Sequence, residues 1–121
     1  MNDILVINEN SGEVLVNKGR IAKDFWSRLK GLLGVKRMQA GEGLMILPCN
    51  RIHTIGMSMT IDVLFVSLEG EIKHAIQSMK PGKISPYIAS ASFVLELPAG
   101  QIKQTNTCAG QRIALYKFDA K

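Results

Sequence analysis

Thr60-Ile61-Asp62-Val63-Leu64-Phe65-Val66 decides the fold, because six of these seven residues are uncharged and most are β-branched or aromatic. Such residues favour an extended chain, and alternate side chains of a strand point to opposite faces. The apolar side chains then divide between the two faces as follows: Ile61, Val63 and Phe65 on one, Leu64 and Val66 on the other. A strand that is apolar on both faces is typical of the centre of a sheet, so we predict a buried central strand here.

Six other short runs have the same character and are separated by turn-forming residues. They cover residues 4–7, 14–16, 43–47, 72–79, 92–97 and 112–118. About seven short strands predict an α+β, β-rich fold in which a compact antiparallel sandwich or a partly closed barrel forms the body.

One segment has helical spacing instead. Its apolar residues recur at positions 22, 25, 26, 29, 32 and 33, and Gly34 follows where a glycine commonly ends a helix. We therefore predict a single amphipathic helix over residues 22–33 that covers one side of the strands.

The charge of the chain is concentrated around that predicted helix. The whole chain has 121 residues and a net charge of +5, whereas residues 18–37 alone carry a net +6 and the remainder −1. The length predicts a single domain, 1–121. We do not expect a nucleic-acid partner, because the aromatic Phe25 and Trp26 lie on the apolar face of the helix and are not available to stack on bases.

Several features predict a cytoplasmic protein. The N-terminal residues lack the positive charge and long apolar run of an export signal, and no apolar run in the chain is long enough to span a membrane. Cys49 and Cys108 are 59 positions apart, which fits neither a disulfide framework nor a paired metal-binding motif. We expect both cysteines to be reduced thiols.

The densest group of reactive side chains is the segment 49–62, and it is our candidate site. Cys49, Arg51, His53 and Asp62 place a thiol, a guanidinium, an imidazole and a carboxylate within fourteen residues. Asp62 interrupts the buried strand, so its carboxylate needs a partner: Arg51, His53 or loop amides. We predict a non-catalytic module that binds a small anionic ligand or a partner protein near Arg51, His53 and Asp62, with Cys49 beside them.

Three alternatives remain open for the same segment. Cys49 and His53 are possible metal ligands, with Met57 or Met59 as soft sulfur donors, but two strong ligands are too few, and we predict neither a metal nor another cofactor. Cys49 is also a possible nucleophile in a hydrolase-like enzyme, with a histidine as base. Finally, these side chains are all compatible with a structural role in the core.

Glu96 is a second acidic residue within an apolar run. In an extended chain it shares a face with Val94 and lies opposite Phe93, Leu95 and Leu97. We therefore expect it to be exposed to solvent.

A set of sequence blocks, taken in order, resembles the domain-of-unknown-function family 192. The blocks are Gly31-Leu32-Leu33-Gly34, Gly43-Leu44-Met45-Ile46, Cys49, Ile52-His53-Thr54-Ile55-Gly56-Met57, Ile61-Asp62-Val63-Leu64-Phe65-Val66 and Val94-Leu95-Glu96-Leu97-Pro98-Ala99-Gly100. The resemblance implies a small β-rich fold with a minor helix and no assigned activity. It also implies that the recurrent block of the family falls on His53, Thr54, Met57, Ile61 and Asp62.

Overall fold

The protein is described by a computed structural model that covers residues 3–23, 32 and 34–118. All seven predicted strands are present in these ranges, in the predicted order. They are β1 (Ile4–Asn8), β2 (Val14–Ala22), β3 (Glu42–Ile46), β4 (Ile61–Val66), β5 (Ile72–Met79), β6 (Phe93–Pro98) and β7 (Ile113–Lys117).

The strands form one sheet in the order β5-β4-β6-β3-β2-β1-β7. Strands β4 and β6 each have a neighbour on both sides, and this interior position agrees with their apolar composition on both faces. All neighbours are antiparallel except β2 and β3, which run parallel over Lys18–Ala22 and Glu42–Ile46. The sheet is therefore mixed, which differs from the predicted antiparallel arrangement, because the connection from β2 to β3 returns the chain to the same end before β3 begins.

The sheet curls into a half-barrel, which confirms the predicted partly closed barrel. Its two edge regions meet at one end, where Glu71 bridges Arg112. The Ile113 N–H donates to Gly70 O at 2.9 Å, and the Ile72 N–H donates to Gln111 O at 2.8 Å. These bonds join the start of β5 to the start of β7.

Two apolar clusters pack on opposite faces of the sheet. The inner cluster receives side chains from all seven strands, among them Leu64, Leu95 and Ile113. The outer cluster contains Val63 and Phe65 of β4 and Val94 of β6, covered by side chains that lie outside the strands: Leu32, Val35, Met38, Cys49, Ile52, Met57, Met59, Ile88 and Ala91. The predicted division of the β4 side chains between two buried faces is confirmed.

The helix that the structure describes is a short one after β6, α1 (Gln101–Gln104), which the sequence did not predict. Its Ile102 belongs to the inner cluster. The predicted helix over 22–33 was wrong at its start, because Ala22 is the last residue of β2; residues 24–31 and 33 lie outside the described residues. In the described ranges, no helix has the length and apolar character needed to cross a membrane.

Candidate functional site

The predicted site residues fall into two groups in the structure. Arg51 and His53 are exposed, in the connection between β3 and β4, whereas Asp62 is fully buried within β4. Neither Arg51 nor His53 forms an ion pair or a hydrogen bond with Asp62 in the described structure. The structure therefore does not bring these three side chains into direct contact.

Asp62 binds backbone amides instead. Its Oδ1 accepts a hydrogen bond from the Ser78 N–H at 2.8 Å, and its Oδ2 accepts from the N–H groups of Gly100 at 3.1 Å and Ile102 at 2.9 Å. The first bond holds Ser78, whose φ of 54° is in the left-handed region, at an irregularity in the pairing of β4 with β5. The other two hold the start of α1. Loop amides were one of the partners that the sequence left open for this carboxylate.

Thr54 ties the β3–β4 connection to the turn at residues 80–83. Its hydroxyl is fully buried, donates to Lys80 O at 2.6 Å and accepts from the Lys83 N–H at 2.9 Å. The Thr54 carbonyl also accepts from the Gly82 N–H at 3.0 Å. One threonine thus fixes both ends of this turn.

A short antiparallel ladder continues from Thr54. His53 bridges Ile84, the Ser85 N–H donates to Ile52 O at 2.9 Å, and the Ile52 N–H donates to Ser85 Oγ at 2.9 Å. Residues directly opposite each other in an antiparallel ladder project to the same side. His53 and Ile84 are therefore side by side on the surface.

An open cleft of about 360 Å³ lies between the end of β5 and the segment that returns from the turn. Its lining residues are Ile76, Ser78, Met79, Lys80, Lys83, Ile84, Ser85 and Pro86. They carry two positive charges and no negative one, and neither Lys80 nor Lys83 has an ion-pair partner among the described residues. The side chain of Ile84 is 60% exposed. The cleft therefore combines an apolar wall with two uncompensated cations.

Several of the contacts described above hold residues that line this cleft. Asp62 holds Ser78, Thr54 holds Lys80 and Lys83, and Ile52 holds Ser85. All eight lining residues come from residues 76–86, so the segment that the sequence singled out supports the cleft through these hydrogen bonds but does not line it. Sequence reasoning missed Lys80 and Lys83; their spacing around Pro81-Gly82 was the available signal, since a proline–glycine pair marks a tight turn that places its flanking residues close together.

Cys49 does not line the cleft. Its side chain is partly buried against the outer cluster, and its thiol donates a hydrogen bond to Arg51 O at 3.2 Å.

Metal coordination by Cys49 and His53 needs further ligands. Within residues 3–23, 32 and 34–118, no three side chains of His, Cys, Asp or Glu lie close enough together to hold a metal ion.

Glu96 corrects one of the sequence-based expectations. It shares the face of Val94, as expected, but it is 3% exposed rather than solvated, between its strand neighbours Leu44 and Val63. The expectation was wrong because the outer face is covered as well. Its Oε1 has no hydrogen-bond partner in the described part of the chain, and burial raises the pKa of this carboxyl to about 7. Glu96 is not among the residues that line the cleft.

Known proteins resemble this chain in sequence and in fold. A "UPF0127 protein" of Thermococcus sibiricus is 26% identical over 114 residues, which are 90% of this chain and 73% of that protein. A crystal structure of a protein of unknown function from Novosphingobium aromaticivorans has a TM-score of 0.79 at 19% identity and matches 93% of this chain and 83% of that one. A "putative transcription regulator" from Sinorhizobium meliloti has a TM-score of 0.77 at 21% identity, with 93% and 91% covered. At these identities, the two structural likenesses establish the fold alone.

The family model that describes "Uncharacterized ACR" proteins, DUF192, matches residues 6–115, from β1 to β7. This match covers nearly the whole chain and agrees with the resemblance found in its sequence blocks. The protein belongs to the DUF192 family.

Proposed function

We propose that this protein is a non-catalytic binding module that holds a ligand or a partner at the cleft between residues 76–80 and 83–86. Arg51 and His53 form the neighbouring rim of this site, Asp62 acts as a positioning residue, and Cys49 supports Arg51 through its hydrogen bond to the Arg51 carbonyl. The observation that carries the proposal is the pairing of an exposed apolar wall with two lysines that have no acidic partner among the described residues.

The electrostatics favour an anionic group on the ligand. Lys80 and Lys83 flank a single turn, and His53 lies beside Ile84 at the edge of the same cleft. Cations without a partner attract an anion, and the attraction is stronger beside low-dielectric apolar walls than in open water. Arg51 is exposed two residues before His53 and adds to the positive potential of this face.

The rigidity of the walls also supports binding. Hydrogen bonds from buried groups hold both sides of the cleft, so a ligand that enters does not have to order a loose segment. The edge position of β5 leaves the site open to solvent.

Glu96 takes no part in ligand contact under this proposal. Glu96 on β6 pairs with Val63 on β4, and Val63 pairs on its other side with Ile76 on β5, which lines the cleft. Two strand spacings, about 10 Å, therefore separate the backbone of Glu96 from the cleft wall. The raised pKa of its carboxyl is explained by burial alone.

The test is to locate bound probes by amide NMR shifts on isotopically labelled protein. The probes are sodium acetate, octanoate, inorganic phosphate, adenosine monophosphate and an acetylated Asp-Leu-Asp peptide amide, each titrated to saturation or to 20 mM. We expect at least one anionic probe to shift the amides of residues 76–86 saturably, and to do so less in the double variant Lys80→Gln/Lys83→Gln than in the control Lys103→Gln. Probes that all fail to bind, or that bind away from residues 50–57 and 76–86, would overturn the proposed function.

A further inference from the structure

We infer that the ligand of this cleft is an amphiphilic carboxylate, a small molecule with one acid group and an apolar body. This inference rests on the proposed function, because it assigns a ligand class to the same cleft. It follows from where the charges lie, which backbone donors are already used and how much space is present.

The charged and apolar parts of the cleft are separated. Lys80 and Lys83 both flank the turn at Pro81-Gly82, while Ile76, Ile84 and Pro86 line the segments on either side of it. A ligand that fits this arrangement has its charge at one end and its apolar surface along its length. A compact, evenly charged anion leaves the apolar walls in contact with water.

The backbone of the turn argues against a phosphate group. Phosphates are commonly held by several backbone N–H groups, by a helix N-terminus or by the forked guanidinium of arginine. Here Pro81 has no N–H, and the N–H groups of Gly82 and Lys83 already donate to the carbonyl and the hydroxyl of Thr54. The backbone N–H groups of Gly82 and Lys83 are thus not available to an anion, and the charged donors of the turn are the ammonium groups of Lys80 and Lys83. Two ammonium groups are sufficient to pair with the single negative charge of a carboxylate.

The size of the cleft limits the body of the ligand. A volume of about 360 Å³ equals that of roughly a dozen water molecules in the liquid. It also lies at the small end of the range of ligand pockets. A medium-chain fatty acid or an arylalkanoic acid is of this size, whereas a dinucleotide is not.

The experiment compares probes that separate charge from apolar body. Octanoate carries both, octan-1-ol has the body without the charge, acetate has the charge without the body, and inorganic phosphate has the competing head group. We expect octanoate to shift the amides of Ile76, Ser78 and Ile84 saturably, with an affinity at least tenfold higher than that of octan-1-ol, acetate or phosphate.

Two variants divide the contributions. Lys80→Gln/Lys83→Gln is expected to lower octanoate affinity about tenfold, to the level of octan-1-ol, and to leave octan-1-ol binding unchanged. Ile84→Ser, at a wall residue that is 60% exposed, is expected to weaken both ligands without unfolding the protein. Lys103→Gln, on α1 outside the cleft, is the charge control.

The outcomes distinguish this inference from the proposed function. If phosphate or acetate shifts the cleft amides with an affinity equal to or higher than that of octanoate, the ligand is not an amphiphilic carboxylate, but the cleft is still a binding site. Octanoate binding that is unaffected by the lysine variants overturns the assigned head-group contact. If no probe perturbs residues 76–86, the proposed function fails together with the inference.

Discussion

The carboxyl groups of Asp62 and Glu96 are both buried, one strand apart, on opposite faces of the sheet. Asp62, on β4, points to the inner face and accepts three backbone hydrogen bonds. Glu96, on β6, points to the outer face among apolar side chains, and its Oε1 accepts none from the described residues. Backbone N–H groups therefore stabilise the charged form of Asp62, whereas no described donor does so at Glu96 Oε1. Substitution of the two residues should change the stability of the protein in opposite directions.

Removing the ionisable group of Glu96 should stabilise the protein at neutral and alkaline pH. The folded-state pKa of Glu96 is raised from 4.5 to about 7, so the folded protein keeps a proton that the unfolded chain releases. The free energy of unfolding of the wild type should then fall by about 3 kcal/mol as the pH rises from about 4.5 to about 7. Above pH 7 it should level off.

The measurement is urea denaturation of the wild type and Glu96→Gln between pH 4.5 and 8.5. The difference between their unfolding free energies should grow over this window in favour of Glu96→Gln. Glu13→Gln, at an exposed residue, is the control and should follow the wild type. Parallel profiles for the wild type and Glu96→Gln would show that the buried carboxyl does not titrate as described.

Substitution of Asp62 should have the opposite sign. Asp62→Asn keeps the shape of the side chain but replaces one accepting oxygen by an NH₂ group, so at least one of the three backbone donors loses its acceptor. We expect a loss of about 2–3 kcal/mol in the free energy of unfolding at pH 7. Asp3→Asn is the matched control, since Asp3 accepts a single bond, from the Ile21 N–H at 3.0 Å. Equal effects of the two substitutions would contradict the role assigned to Asp62.

The hydroxyl group of Thr54 should contribute more to the stability of the protein than the volume of the Thr54 side chain does. Thr54→Val preserves the volume but removes the bonds to Lys80 O and the Lys83 N–H, so we expect a loss of about 1–3 kcal/mol in unfolding free energy. The change should also increase the hydrogen-exchange rates of the amides of Gly82 and Lys83. Thr60→Val is the comparison, because Thr60 is partly buried and its hydroxyl makes no hydrogen bond in the described structure. A turn that exchanges at the wild-type rate in Thr54→Val would argue against this assignment.

Gly70 should be intolerant of any side chain. Its φ is 93°, and a Cβ built there lies 2.7 Å from Ile113 O, which belongs to the strand that closes the half-barrel. Gly12→Ala provides the matched control, because Gly12 has a φ of 77° with open space around its Cβ position. Both substitutions cost about 1–2 kcal/mol in backbone strain, and Gly70→Ala should cost about 1–3 kcal/mol more through the collision. Thermal unfolding of both variants would detect the difference, and equal melting temperatures would refute it.

Much of the fold was predictable because strands carry a local signature. The apolar runs fixed the number and order of the strands, and the alternation along β4 and β6 correctly assigned their side chains to faces. Periodicity does not reveal which faces are later covered, so Glu96 was assigned to the wrong environment. The end of β2 was misassigned for a related reason: apolar spacing at Ala22 fits a helix, but pairing with β3 extends the strand through that residue.

The candidate site was predictable only in part. Arg51, His53 and Asp62 stood out because unusual side chains cluster there in sequence, yet the contacts of His53 and Asp62 run to residues 76–86 and 100–102. Such contacts join positions that are 16 to 40 residues apart and depend on how the strands pair. Whether the site residues form a structural core or a ligand site therefore could not be decided from spacing alone.

The sequence by itself determined the strands, the apolar character of β4 on both faces, the family resemblance and the segment that carries the unusual side chains. Each of these depends only on local composition and on the order of residues along the chain. Only the tertiary structure decided the strand order, the closure of the half-barrel, the burial of Glu96 and the cleft between β5 and the returning segment. These features depend on hydrogen bonds and packing between residues far apart in sequence. Which residues become neighbours depends on how the whole chain folds.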